Sequence, residues 1–144
     1  MLNVELFRDC AYGLGFCFVE NQLYDLAFYY LAVARMSGEI GATEEYINCL
    51  ANSKSPLALE SIERFLDAAT NIRATSAEQI ERWEFYVAFL KRRQVWVLIE
   101  LEEFNRAKRL LQPLLEDPRC KDFAEKELRF LETLRQRESN QTQG

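Results

Sequence analysis

Four cysteines, two pairs of neighbouring glutamates and two knots of basic residues are the parts of this 144-residue chain whose types could do chemistry. The glutamate pairs are Glu44-Glu45 and Glu102-Glu103. Neighbours on a helix point apart, so neither pair makes an acid–base dyad by spacing alone. The chain has no histidine, which removes Ser-His and Cys-His nucleophile pairs, histidine metal ligation and a histidine pH switch. No glycine-rich phosphate loop and no H-E-x-x-H pattern occurs. With no nucleophile and base to name, the sequence reads as a protein that is not an enzyme, with no cofactor and no catalytic or metal-ligating residue.

Cys10, Cys17, Cys49 and Cys120 form no C-x-x-C pair, so zinc and thioredoxin-type readings have no support. They read as reduced thiols set among apolar helix residues, since cysteine often serves as a small buried hydrophobe. Cys10 and Cys17 lie two helical turns apart, too far along the axis to bond to each other. The basic knots are Lys91-Arg92-Arg93 and Arg106, Lys108 and Arg109. They read either as solvated faces paired with Glu100, Glu102 and Glu103, or as a surface for an acidic partner. A formal net charge of −5 repels a phosphate backbone, so no nucleic-acid partner is expected.

Residues that bind must be held by something, and the composition says what. Hydrophobic residues make up 49% and charged residues 28%, with five glycines and three prolines, which fits a folded helix-rich chain rather than a disordered one. The length fits one domain, over 1–137, with 138–144 a disordered polar tail. No stretch has the pattern of a signal peptide, and no run of about 18 apolar residues exists, so no membrane segment is expected and a cytoplasmic location follows.

Apolar spacing places helices at 4–20, 24–37, 43–52, 56–69, 77–101, 105–116 and 119–137. Ser37-Gly38 closes the second helix and Ser55-Pro56 opens the fourth. Ser76-Ala77-Glu78-Gln79 reads as a capping box opening the fifth, after a loop at 70–75. Ile80, Trp83, Val87, Leu90, Val97 and Leu101 form the inward seam of that fifth helix. Pro113 bends the sixth helix or sets off its last turn. Phe28, Tyr29 and Tyr30 stand in a row on the second helix, and one neighbour cannot cover all three. The outer face of that helix is therefore either a candidate homodimer surface or is buried beneath the fourth helix.

Leu14, Gly15, Phe18, Tyr24, Ala27, Leu31 and Ala34 resemble the unit of the tetratricopeptide repeat (TPR) family, about 34 residues long. Phe104, Ala107, Leu111 and Leu114, followed by Pro118, resemble it again. Ala58 and Ile62 give a weaker middle copy, with Ser55 where an aromatic is expected. The resemblance implies an all-α, TPR-like α-α superhelix of about three helical hairpins plus a C-terminal capping helix. It implies a small Gly15 that lets the paired helix approach, with Tyr24 filling the corner.

In such a family the first helices line a concave groove that receives peptides. Carried over, that gives Tyr12 and Phe16 from the first unit and Arg92, Arg93 and Trp96 from the third, with Asn48 and Asn52 as polar candidates from the middle one. Aromatics beside arginines suit a binding surface, although Phe16 and Trp96 could equally contact the next hairpin. Tyr12 and Phe16 stand where a carboxylate clamp would need lysine and asparagine, which argues against that kind of tail binding. The function implied is a protein–protein interaction module, an adaptor or scaffold, that takes a partner peptide or helix in the groove. The alternatives are a dedicated secretion-type chaperone and a structural homo-oligomer.

Overall fold

The computed structural model describes residues 3–71 and 76–142, and over them the protein is all-helical, with no strand. Its elements are α1 (Val4–Glu20), α2 (Tyr24–Ala34) with a 3-10 turn at Arg35–Ser37, and α3 (Ile40–Asn52). They continue with α4 (Ala58–Thr70), α5 (Ala77–Glu100), α6 (Phe104–Leu114) and α7 (Lys121–Thr142). The chain divides into two compact units, Met1–Asp67 and Ala68–Gly144. Among the described residues no helix is long and apolar enough to cross a membrane.

In the first unit, α1 opens on Asn3, whose Oδ1 accepts from the Leu6 N–H at 3.1 Å, one of the four donors a helix start leaves without a partner. α1 packs along α2, and α3 closes over one side of the pair. Ala11, Ala34 and Ala42 meet in one cluster, flanked by Tyr12, Tyr30 and Val33. Ala27, Leu31 and Cys49 meet in another, flanked by Phe18, Val19, Tyr24 and Tyr46. Small residues on three helices let the backbones lie close. Gly38 ends the 3-10 turn at φ 81, the left-handed conformation expected of it.

α3 starts at Ile40 rather than 43, with extended Glu39 as its N-cap. Gly41, a poor helix former, sits in the first turn and hides the true start from the sequence pattern. α4 starts at Ala58 rather than at Pro56. Ser55 Oγ accepts from the Leu57 N–H at 3.2 Å, and the Ser55 carbonyl accepts from the Ala58 N–H at 3.1 Å, holding Pro56-Leu57 in a turn.

In the second unit, Ser76 caps α5 as its sequence predicts, its Oγ accepting from the Gln79 N–H at 3.1 Å. Of the loop expected at 70–75, Thr70 ends α4 and Asn71 turns, while 72–75 lie outside the described residues. α5 buries Tyr86, Ala88, Leu90, Val95, Val97 and Leu98. The expected seam is corrected at both ends, because Ile80 and Leu101 are exposed. α5 is covered over its second half on two faces, so a single stripe does not describe it. Pro113 sits in the last turn of α6, beyond buried Ala107 and Leu111. α7 runs through Thr142, past residue 137 where the sequence places a disordered tail. Past Leu134 every side chain to Thr142 is exposed, so this last stretch is polar all round and still helical. Residues 143–144 lie outside the described residues.

α1, α3 and α5 end in the same way. Gln22, Lys54 and Glu102 take positive φ of 60, 56 and 60. Their N–H groups donate to Val19, Ala51 and Ile99, and the next residues, Leu23, Ser55 and Glu103, donate to Phe18, Leu50 and Leu98 at 2.8, 3.0 and 2.9 Å. This pair of bonds is the Schellman motif, which satisfies carbonyls left open at a helix end. The helix that follows each turn buries an alanine and, four residues on, a branched aliphatic: Ala27 and Leu31, Ala58 and Ile62, Ala107 and Leu111.

Candidate functional site

Of the site residues named from sequence, Tyr12, Phe16, Asn48 and Asn52 lie in the first unit and Arg92, Arg93 and Trp96 in the second. In the first unit, α1 carries Tyr12 and Phe16 one turn apart. Tyr12 is half-buried and its hydroxyl reaches α3, where a Cβ added at Gly41 would lie 3.4 Å from it. Its pKa is raised, first by burial and then by the charges of Glu45, Glu44 and Glu39. Those three carboxylates make the surroundings of Tyr12 acidic. With α3 starting at Ile40, Glu44 and Glu45 lie in its second turn.

Phe16 is 43% exposed, so α1 does not bury it against its own hairpin. On α3, Asn48 is half-buried, and its Oδ1 is shut off from solvent with no hydrogen-bond partner. Asn52, one turn on, is exposed. The fold thus brings Tyr12 to the acidic start of α3, and sets Asn48 and Asn52 along the same helix.

In the second unit, Arg92 and Arg93 part company. Arg93 lays its guanidinium over two rings of its own helix, Phe89 at 5.9 Å and Trp96 at 5.6 Å from the centroids. Residues at i−4 and i+3 flank the same stripe, so α5 stacks a cation between two aromatics by spacing alone. Trp96 and Phe89 are each half-buried. Arg92 is engaged elsewhere, its Nη1 donating to the Arg119 carbonyl at 3.2 Å just before α7.

Arg119 in turn bonds Glu84 Oε2 at 2.8 Å and covers the Phe85 ring at 4.9 Å. Its backbone N–H is held by Asp117 Oδ1 at 2.9 Å. The buried Cys120 thiol points at the Ala88 carbonyl, 3.8 Å away. Burial, then Asp117, pushes its pKa up, against a hydrogen bond from Arg92 and the charges of Arg92 and Lys91. Arg92 is therefore a strut between α5 and the start of α7 rather than an open binding group. Beside that strut lies a groove of about 500 Å³ lined by Trp83, Val87, Lys91, Pro113, Glu116 and Pro118. Sequence alone does not reveal it, because its residues come from two stretches far apart in the chain, 83–91 and 113–119, with no common motif. Two of the four thiols, Cys10 and Cys17, are exposed rather than packed among apolar neighbours, whereas Cys49 and Cys120 are buried.

Comparison with known family models, with curated proteins and with solved structures finds no match to this chain.

Proposed function

We propose that this protein is a TPR-like interaction module that receives a segment of a partner protein on the faces of its first helices. The hairpins are α1–α2, α3–α4 and α5–α6, with α7 as cap. The superhelix and its concave groove belong to this proposal. The observation that carries it is the repeated turn: Gln22, Lys54 and Glu102 end three helices with the same two hydrogen bonds, and each following helix buries an alanine and an aliphatic at the same spacing. Helical pairs repeated in that way are built to stack, and stacked pairs hold partners on one side. The Phe89–Arg93–Trp96 stack supplies the kind of side chains that dominate hot spots. The Tyr12 patch, with Glu39, Glu44 and Glu45 around it, favours a basic residue in the partner.

The test is affinity capture from lysate with mass spectrometry, followed by binding isotherms on the purified partner. Trp96→Ala and Arg93→Ala should each weaken binding roughly tenfold or more while the melting temperature holds. A partner bound equally well by both variants, or no partner retained above a mock column, would remove this reading.

A further inference from the structure

The α1–α2 hairpin has two apolar sides, and only one of them is used. α3 covers the side that carries Ala42 against Ala11 and Ala34, and Cys49 against Ala27 and Leu31. Turning about 100° per residue from those positions, the side away from α3 carries Phe7, Cys10, Leu14 and Cys17 on α1, and Leu26 and Tyr29 on α2. All six are exposed, Phe7 by 52% and Tyr29 by 66%. Leu6 borders them and is exposed too.

We infer that this face is the interface of a homodimer, with α1 pairing antiparallel to the α1 of a second copy. Area is the first reason. If a large apolar side chain can bury roughly 150–200 Å², these exposed fractions leave on the order of 500 Å² of apolar surface per protomer. A homodimer interface is about 65% apolar, so that surface corresponds to roughly 800 Å² a side, the size of a standard specific interface.

Spacing is the second reason. Phe7, Cys10, Leu14 and Cys17 step by three, four and three along α1, the repeat of a coiled-coil seam. A two-fold axis beside residue 12 sets Phe7 opposite the partner's Cys17 and Leu14 opposite the partner's Cys10. Every layer then joins one large and one small side chain, which fills the seam evenly. A parallel pairing would instead put Phe7 on its own copy and leave two cysteine-only layers underfilled. The inference is independent of partner binding, because no residue of the Phe89–Arg93–Trp96 stack takes part.

Sedimentation equilibrium in reducing buffer tests it. Between about 1 and 100 µM the wild-type chain should convert from monomer to dimer, as for a micromolar association. Leu14→Glu and Phe7→Glu, both at exposed positions, should each raise the dissociation constant at least tenfold with helical circular dichroism unchanged, and Trp96→Ala should leave it alone. Under mild oxidation Leu14→Cys should cross-link readily through Cys10 of the other copy, and the wild-type chain should not. A wild-type monomer at about 100 µM, a dimer that ignores both glutamates, or a wild-type disulfide forming as fast as that of Leu14→Cys would each overturn the antiparallel dimer. If one glutamate variant fails to fold, the other and the cross-link still decide.

Discussion

Leu31 sits where a side chain on residue 15 would go. A Cβ built on Gly15 would lie 2.6 Å from Leu31 Cγ and 2.7 Å from its Cδ2. Both residues are buried, and Leu31 is among the largest fully buried side chains. Either Leu31 leaves its rotamer or α1 and α2 move apart, and both loosen the Ala27–Leu31–Cys49 cluster. Overpacking of this kind costs about 1–3 kcal/mol, against roughly 1 kcal/mol that alanine gains over glycine inside a helix. Gly15→Ala should therefore lower unfolding free energy by about 1–2 kcal/mol in urea titrations. Gly13, two residues earlier, has nothing within 4 Å of its would-be Cβ. Gly13→Ala should raise stability by about 0.5–1 kcal/mol, and equal effects at the two glycines would contradict this account of the hairpin.

Gln22, Lys54 and Glu102 each hold a left-handed backbone without being glycine. That conformation costs an L-residue roughly 1–2 kcal/mol, part of which glycine would return as lost chain entropy. Gln22→Gly, Lys54→Gly and Glu102→Gly should each stabilise by about 0.5–1 kcal/mol. If any of the three melts lower instead, its turn is held by the side chain and the equivalence of the turns fails.

Helix number and most buried positions were legible because period and caps agree. Ala27, Leu31 and Ala34, like Ala107, Leu111 and Leu114, read inward at three- and four-residue steps and are buried. Ser76 and Gly38 mark a start and a stop by chemistry alone. Two helix starts were misread for local reasons, Gly41 weakening the first turn of α3 and Pro56 belonging to a turn before α4. The likeness of the three turns was hidden, since Gln22, Lys54 and Glu102 share no side-chain chemistry. Arg92 and Arg93 looked equivalent because sequence cannot show that one meets a carbonyl before α7 and the other meets rings of its own helix. α1 hid its second apolar side for a related reason: Ala11 and Gly15 are the small residues that bury, while the larger Phe7 and Leu14 stay outside.

Cys49 ties stability to pH at the alkaline end. Its thiol is fully buried and donates to the Tyr24 carbonyl at 3.4 Å. Burial, then Asp25 and Glu45, pushes its pKa from 9.0 up to about 11. The unfolded chain loses this proton first, so the folded state binds more protons between the two values. The contribution is complete below about pH 9 and is lost as pH rises toward 11, at most about 2–3 kcal/mol. Tyr12, also raised, acts in the same direction but is common to wild type and Cys49→Ala. The difference between their urea stabilities, followed from pH 7 to about 10.5, should therefore fall with pH. Parallel curves would show that Cys49 titrates normally.

Arg92 and Arg93 are adjacent, and their substitutions should separate stability from binding. Arg92 Nη1 is a charged donor to the Arg119 carbonyl, and Arg119 itself is tied to Glu84 and Phe85. Arg92→Ala removes that donor from the junction of α5 and α7. Bonds to charged groups are worth about 1.5–3 kcal/mol when buried, and a half-exposed one like this should cost about 1 kcal/mol. Arg92→Lys should restore only part of it, since lysine lacks the planar fork. Arg93 lies over Phe89 and Trp96 on a single helix, so Arg93→Ala should change stability by less than about 0.5–1 kcal/mol. The same variant should weaken partner capture roughly tenfold, as loss of a hot-spot side chain does. Thermal melts beside binding isotherms for the two alanine variants make the comparison. Reversed behaviour, with Arg93 lowering the melt and Arg92 lowering the affinity, would mean that Arg92 and not Arg93 meets the partner.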